Sequence, residues 1–572
     1  MKIIFFILFT IIFSITTVLT ARDLVPADTS LSKTYVIDQK AGLIDQNIQE
    51  LIFFHTSDLH GYGFPREILY RGVDDHSGGL FSLATLVSKK RRKLKRRRWA
   101  FNNNSIERIE RRNEDDGIFL VDCGDSVSGT YNDSLRPGKD ITLLMNSKLL
   151  DYDVKTIGNH SDDYGAKPFF QNIKLANFPV VIANAVEKES GKQLKNTRPY
   201  IIREESGIKV GFIGLSHAWS TRIDGVKMLD ELESLEKYLP ELRKKVDIVV
   251  CLSHIGLERE AKLVKKIADM DDKNPLMNVD VFMDGHSHAN IHFMIDKNTV
   301  VVQAGKYGLN CGEVNIRFNI KTRKIASVKI QKHSLKTSDV LPSKKLKNEF
   351  RNLIKKVEKE NQGVVEKDLN DFFMKYSIRT SPRICNPAAE FCARSLMEIP
   401  LEAPLEPDCA MVYQKSVRNH VASNDNGVVT NGILHRIVPF EEKILLVKIK
   451  GDKLFKLMEK GVFKKYSWAG LQAHIVENIE NEKLVERKLL KLKIYDKSKK
   501  RFVPVEKNKT YVLACNEFFN MVYVKSKPEY IVISNLTDKL VLRRFIKKYK
   551  VYRDKYFTAR DFLSKSIVYH NE

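Results

Sequence analysis

The sequence predicts two domains, an α/β N-terminal domain and an α+β C-terminal domain, joined by a helix. Three observations predict this. The chain is 572 residues long, more than one core usually serves. From residue 120 to 320, apolar strand runs alternate with charged amphipathic stretches at helical spacing, as in α/β folds. Residues 371–525 instead carry β-rich runs, such as Ile444–Ile449 and Thr510–Ala514, around a helix after Asp452. Hydrophobic residues make up 43% of the chain, ample for two buried cores.

In chain order, Met1–Ala21 comes first. It holds one Lys, a nearly uninterrupted apolar run and a small-residue end, which predicts a cleaved secretory signal peptide. The same run is almost long enough to be an uncleaved anchor. The C-terminus, Tyr569–His570–Asn571–Glu572, lacks the apolar tail of a GPI signal. The expected location is the secretory pathway, secreted or in a lysosome- or vacuole-like lumen, with no membrane anchor after cleavage. Sequons at Asn103, Asn132, Asn508 and Asn535 offer glycan sites. Seven cysteines are too few for a disulfide scaffold, and the number is odd. Cys123 and Cys251 lie within strand runs and are expected as buried thiols.

The chemistry sits at strand ends. Leu51–Phe54 leads into Asp58–Leu59–His60–Gly61. Ile118–Val121 leads into Asp122–Cys123–Gly124–Asp125, with Gly129 four residues on. Val154–Ile157 leads into Gly158–Asn159–His160. Ile248–Leu252 leads into Ser253–His254–Ile255–Gly256. Val279–Met283 leads into Asp284–Gly285–His286–Ser287–His288. Carboxylates and imidazoles both offer lone pairs to a divalent cation. The carboxyl ends of strands in an open α/β sheet lie together, so one site can collect residues 58 to 288.

Net charge is +25, and nine of the ten residues Lys89–Arg98 are basic. One reading is a nuclear signal or polyanion patch; the signal peptide argues against the nucleus. The other is a solvated insertion, and residues 89–116 are expected as an inserted basic loop after a helix at Gly78–Leu86. No aromatic-rich motif accompanies the run, so no specific nucleic-acid partner is expected.

The ordered set Asp-x-His, Gly-Asp-x-x-x-Gly, Gly-Asn-His, Ser-His-x-Gly and Gly-His-x-His resembles the calcineurin-like metallophosphoesterases. Within them it is most similar to the 5′-nucleotidase and UDP-sugar hydrolase family, over roughly residues 50 to 520. The resemblance implies a catalytic domain at 50–335 built as a β-sandwich flanked by helices. It also implies a linker helix at 336–370 and a substrate-specificity domain at 371–572. It implies two divalent metal ions, Zn, Mn or Fe. Asp58, His60 and His288 would hold one, and Asn159, His254 and His286 the other, with Asp125 bridging. The sequon at Asn159 overlaps this set and is expected unmodified. His160 would contact the substrate phosphate and assist the leaving group, oriented by Asp163, with Asp162 as a rival partner. His217, His55, His76 and His292 are assigned to structure.

In the C-terminal domain, Arg379 and Arg383 resemble phosphate-clamping arginines, and guanidinium forks suit phosphate oxygens. Arg418 is the functional side chain kept from the family's glycine-rich loop, whose glycines are replaced by Tyr413–Gln414–Lys415–Ser416. Phe440 and Phe518 resemble the aromatic sandwich around a base. Cys392 and Cys409 fall near positions bridged in related ecto-enzymes, which implies a disulfide. The function implied is metal-dependent hydrolysis of phosphate esters, of 5′-nucleotides or related monoesters, with a small-molecule substrate. The alternatives are a nucleotide-sugar or cyclic phosphodiesterase on the same centre, and a non-catalytic polyanion-binding protein.

Overall fold

The computed structural model describes residues 32–36, 47–70, 76–102, 117–217, 223–271, 274–294, 299–366, 387–398, 405–417, 428–440, 442–461, 465–480, 483–516, 530–549 and 567–568. The predicted signal peptide lies outside them. Among the described residues no helix is long and apolar enough to cross a membrane. The chain divides into two compact units. The first holds most of the chain up to Ile354; the second holds Lys355 onward together with Glu67–Asp74 and Gly129–Asn132.

Seven strands position the site in the first unit: β1 (Ile48–Thr56), β2 (Ile118–Asp122), β3 (Val154–Lys155), β4 (Ile208–Ser216), β5 (Ile248–His254), β6 (Val281–Asp284) and β7 (Val300–Ala304). One eight-stranded sheet runs Ser32–Val36, Lys324–Ser334, Asn310–Asn319, β1, β2, β3, Val180–Val181, Thr197–Arg198. A six-stranded sheet runs Asn290–Met294, β7, β6, β5, β4, Tyr200–Glu205. Within each, the central strands are parallel.

The two sheets face each other, as the resemblance implies. Alternate residues point inward because successive side chains along a strand take opposite faces. Leu51, Phe53, Phe119 and Val121 of one sheet meet Val210, Phe212, Val250, Leu252, Val281 and Met283 of the other. Phe53 stacks on Phe119 at 5.1 Å, and Phe212 closes edge-on over Phe119 at 5.3 Å. The intervening residues are apolar too. Ile213, Val249, Cys251 and Phe282 pack outward against Leu235 and Leu239 of helix Glu231–Arg243 and Val264 and Ile267 of helix Leu257–Asp271. Burial on both faces explains why these strands read as continuous apolar runs.

The basic run differs from expectation. Helix α1 spans Gly79–Asn102 without interruption, so 89–102 is helix and not loop. Lys and Arg are good helix formers, and the first basic residues are tied down. Lys90 pairs with the buried Glu313 at 2.5 Å, and Arg91 donates to the Leu150 carbonyl at 3.0 Å. Residues 103–116 lie outside the described chain. The expected linker helix is also broken: Lys344–Glu349 and Arg351–Asn361 are separate helices, with Phe350 at a non-helical φ of −103° between them.

The second unit has a five-stranded sheet, Tyr466–Ala469, Cys409–Tyr413, Thr510–Asn516, Lys443–Lys450, Tyr530–Thr537, and a four-stranded one centred on Leu471–Glu480 and Lys483–Asp496. The disulfide expectation fails here. Cys392 and Cys409 are buried free thiols. Cys392 lies on helix Pro387–Met397 and Cys409 belongs to an apolar core cluster, so each packs as a small hydrophobe. The Asn132 sequon is corrected too. Its side chain is buried and its amide oxygen accepts from Asn361 at 3.3 Å, which leaves no room for a glycan in the folded chain. Asn508 is exposed in a turn.

Candidate metal centre

The strands deliver the site residues at their carboxyl ends. Asp58 and His60 follow β1, Asp125 follows β2, and Asn159 and His160 follow β3. His254 ends β5, and His286 and His288 follow β6. The turns that carry them are strained. Among the described residues, twelve non-glycine residues have positive φ; seven are Asp58, His60, Asp125, Ser128, His286, His288 and Tyr307. Each costs about 1–2 kcal/mol, so the strain is concentrated at this edge, as it is at functional sites. Glycines allow the close approaches. A Cβ on Gly158 would meet Asp125 Oδ1 at 2.2 Å, and one on Gly285 would meet His254 Nδ1 at 2.7 Å.

Two clusters of ligand atoms result, each within 4.8 Å: Asp58 with His60 and His288, and Asp58 with Asp125 and His254. His288 Nε2 is 3.3 Å from Asp58 Oδ1 and 3.2 Å from His60 Nε2. His254 Nε2 is 3.0 Å from Asp125 Oδ2. Asn159 Oδ1 and His286 Nδ1 lie 2.6 Å apart, and His286 packs edge-on against His254 at 5.5 Å. Asp125 Oδ1 accepts the His160 N–H at 2.7 Å, while Oδ2 faces both His254 and, at 3.9 Å, His60.

The imidazoles are oriented from behind. His60 Nδ1 bonds the Ser128 carbonyl at 3.0 Å and His254 Nδ1 the Cys123 carbonyl at 2.6 Å. Each Nδ1 therefore carries a hydrogen and each Nε2 is turned into the cluster, the arrangement that fixes metal-binding histidines. His254 Nε2 is buried, 3.0 Å from Asp125 Oδ2 and 3.8 Å from Asp58 Oδ1. A buried polar atom in that state, facing two buried carboxylates, fits a cation. Burial holds His60 down at about 3 and His286 at about 4, so both are neutral and able to ligate. For His254 burial works downward, but Asp125 and Asp58 outweigh it and raise the ring to about 10. Burial pushes Asp125 up, yet His254 and His160 hold it well below the usual carboxylate range.

Beside the cluster, His160 Nδ1 donates to Asp163 Oδ2 at 2.7 Å, and the same oxygen accepts from Ser128 Oγ at 2.6 Å. The His160 ring lies 5.2 Å from that of His60. Asp163 is the hydrogen-bond partner of His160 Nδ1 in this geometry. His217, expected as structural, lies 5.2 Å from His286. His55 and His292 are buried and His76 is exposed.

Two residues beside the site escaped the sequence reading, Ser128 and Tyr307. The Tyr307 ring packs against His60 and His288, 5.7 Å from each, and its N–H bonds the Asp58 carbonyl. The signal was present: Val300–Ala304 is another apolar run ending at glycines, Gly305 and Gly308, but with Tyr307 where the others have Asp, Asn or His. In the second unit, Phe440 is half-buried, and Gln414–Ser416, which replace the family's loop glycines, form a short 3₁₀ turn. Arg379, Arg383, Arg418 and Phe518 lie outside the described residues.

A two-sheet sandwich with Asp, Asn and His gathered at its strand ends is what the resemblance to the calcineurin-like metallophosphoesterases implied. Within that class the chain is similar to the 5′-nucleotidase family, and residues 352–522 match its C-terminal domain, "5′-nucleotidase, C-terminal domain". The trifunctional nucleotide phosphoesterase YfkN of Bacillus subtilis is 25% identical over 50% of this chain and 22% of its own length. A 2′,3′-cyclic-nucleotide 2′-phosphodiesterase/3′-nucleotidase of Salmonella typhimurium is 28% identical over 46% of this chain and 39% of its own. The chain thus spans under two fifths of either relative. The crystal structure of a 5′-nucleotidase precursor from Thermus thermophilus shares the fold, with a TM-score of 0.69 at 20% identity over 92% of this chain and 100% of that one.

Proposed function

We propose that this protein hydrolyses phosphate esters, with 5′-nucleotides and related monoesters as its substrate class. The observation that carries the reading is the convergence of Asp58, His60, Asp125, His254 and His288 beside the His160–Asp163 pair. Asp58, His60 and His288 would hold one divalent cation, Asn159, His254 and His286 a second, and Asp125 would face both. Two such ions, Zn, Mn or Fe, would neutralise the anionic phosphoryl oxygens and supply the nucleophile.

The protein groups do the rest. On this reading His160 Nε2 delivers a proton to the departing ester oxygen as the P–O bond breaks. Asp163 holds Nδ1–H, which fixes the tautomer and stabilises the imidazolium that gives up that proton. Arg379, Arg383, Arg418, Phe440 and Phe518 are proposed to bind substrate. The apolar run of Met1–Ala21, read as a signal peptide, and the exposed Asn508 sequon support a secreted or lumenal protein.

The test is a phosphoester panel with metal-loaded protein: AMP, UMP, 4-nitrophenyl phosphate, a 2′,3′-cyclic nucleotide and a UDP-sugar. Turnover of monoesters that disappears on chelation is expected; no turnover of any of them with metals bound overturns the reading. One observation favours a diester alternative: the Salmonella relative is named for cyclic-nucleotide and 3′-nucleotide chemistry together. Cyclic nucleotide cleaved faster than AMP would select it.

A further inference from the structure

Ser128 ties the two halves of the centre together. It lies at the end of Gly124–Asp125–Ser126–Val127–Ser128 and is buried, 4% exposed, with φ at +72°. Its three polar groups are all engaged. The carbonyl accepts from His60 Nδ1 at 3.0 Å. The N–H donates to Asp133 Oδ2, and the other oxygen of Asp133 accepts the Gly138 N–H at 2.8 Å. The hydroxyl donates to Asp163 Oδ2 at 2.6 Å, the oxygen that also receives His160 Nδ1–H. A strained non-glycine residue therefore joins a candidate metal ligand to the candidate leaving-group acid, through backbone on one side and side chain on the other.

We propose that Ser128 is a positioning residue for leaving-group protonation. Its hydroxyl locks the Asp163 carboxylate about its own χ angles, so that one oxygen stays in line with His160 Nδ1. Without it, that oxygen loses one of the two donors that hold it against the ring, and the imidazole loses the fixed direction in which Nε2 presents its proton. A second donor on one carboxylate oxygen polarises and orders the first in a connected network. The consequence is selective. An alkoxide leaving group needs the proton as the P–O bond breaks; a nitrophenolate leaves almost unaided. Loss of the hydroxyl must slow alkyl esters more than aryl esters.

The left-handed backbone supplies a clean variant. Glycine takes positive φ without strain, so Ser128→Gly removes the hydroxyl while keeping the carbonyl for His60 and the N–H for Asp133. The inference rests on His160 as leaving-group acid, so His160→Ala is run beside it. Four proteins are compared: wild type, Ser128→Gly, His160→Ala and the double variant, each with metal content measured. Expected for Ser128→Gly is unchanged metal content and kcat on AMP reduced about tenfold more than on 4-nitrophenyl phosphate, a fraction of the ~10²–10⁴ of general-acid assistance. His160→Ala should show the same selectivity more strongly, and the double variant should add nothing to it. A second readout needs no turnover: the downfield His160 Nδ1–H proton resonance of the metal-free protein should shift or broaden in Ser128→Gly. If His160→Ala is selective but Ser128→Gly slows both esters equally or neither, or leaves the resonance unmoved, the role of Ser128 is overturned and that of His160 stands. If His160→Ala itself is not selective, the leaving-group reading fails, and the role of Ser128 with it.

Discussion

His254 Nε2 lies 3.0 Å from Asp125 Oδ2, inside the protein, with its Nδ1 bonded to the Cys123 carbonyl. The same Asp125 oxygen faces His60 at 3.9 Å. One carboxylate oxygen thus stands between imidazoles from two different sheets. Asp125→Asn keeps the shape and removes the charge that faces both. Bound metal should fall from about two ions per chain, and kcat should drop further than in His160→Ala, whose loss is about 10²–10⁴. Elemental analysis beside steady-state kinetics checks this. Wild-type turnover with metals retained would show that Asp125 does not bridge.

Tyr307 walls one side of the Asp58–His60–His288 group with its ring. Tyr307→Phe keeps that ring and should bind metal as the wild type does. Tyr307→Ala opens the wall, frees two imidazole orientations and should weaken metal binding by about 10–100-fold, the usual effect of losing support behind ligands. Competition with a chelator of known affinity measures it. Equal losses in Phe and Ala would assign the effect to the hydroxyl instead.

Lys90 belongs to the basic run but serves the core. Its partner Glu313 is 1% exposed and also accepts from His333 at 2.8 Å. Lys90→Met should cost about 1–3 kcal/mol, because a buried carboxylate loses one of two partners. Lys89→Met is the neighbouring control, since its side chain is exposed. Urea unfolding of the two variants compares them, and equal midpoints would remove Lys90 from the stability account.

The pH dependence has a definite sign. Burial pushes the Asp133 carboxyl up to about 7, against its bonds from the Ser128 and Gly138 N–H groups. The folded chain keeps that proton to about pH 7, while the unfolded chain releases it near 4. The stabilising contribution is therefore full below about pH 4 and lost as pH rises through 7, at no more than about 1.4 kcal/mol per pH unit. Urea unfolding of metal-free wild type minus Asp133→Asn should shrink across that window. A difference constant from pH 4 to 8 would contradict it.

The candidate metal centre was legible because its signals are local. Each candidate ligand stands within a few residues of an apolar run, beside a glycine that the turn requires. What was missed lacks such a label. Tyr307 follows the same strand-and-glycine pattern but is not a ligand type. Ser128 matters through hydrogen bonds to Asp163 and His60 that no spacing rule encodes. The 89–102 helix was read as loop because nine basic residues suggest solvation; the buried Glu313 that receives one of them lies 223 residues away. Cys392 and Cys409 were paired by resemblance alone, and apolar packing claims each separately.

His60 and His288 meet across 228 residues of chain, and Asp58 receives the His286 N–H across the same span. A contiguous fragment must reach residue 288 to contain both ends of the first cluster, and residue 254 to contain both ends of the second. A chain still being synthesised cannot assemble this centre until residue 288 has emerged and both sheets have closed, and such long-range closure is the slow part of folding. Metal capture therefore dates the completion of this unit. A metal-binding fluorophore displaced during refolding would time that event directly, after secondary structure has already formed.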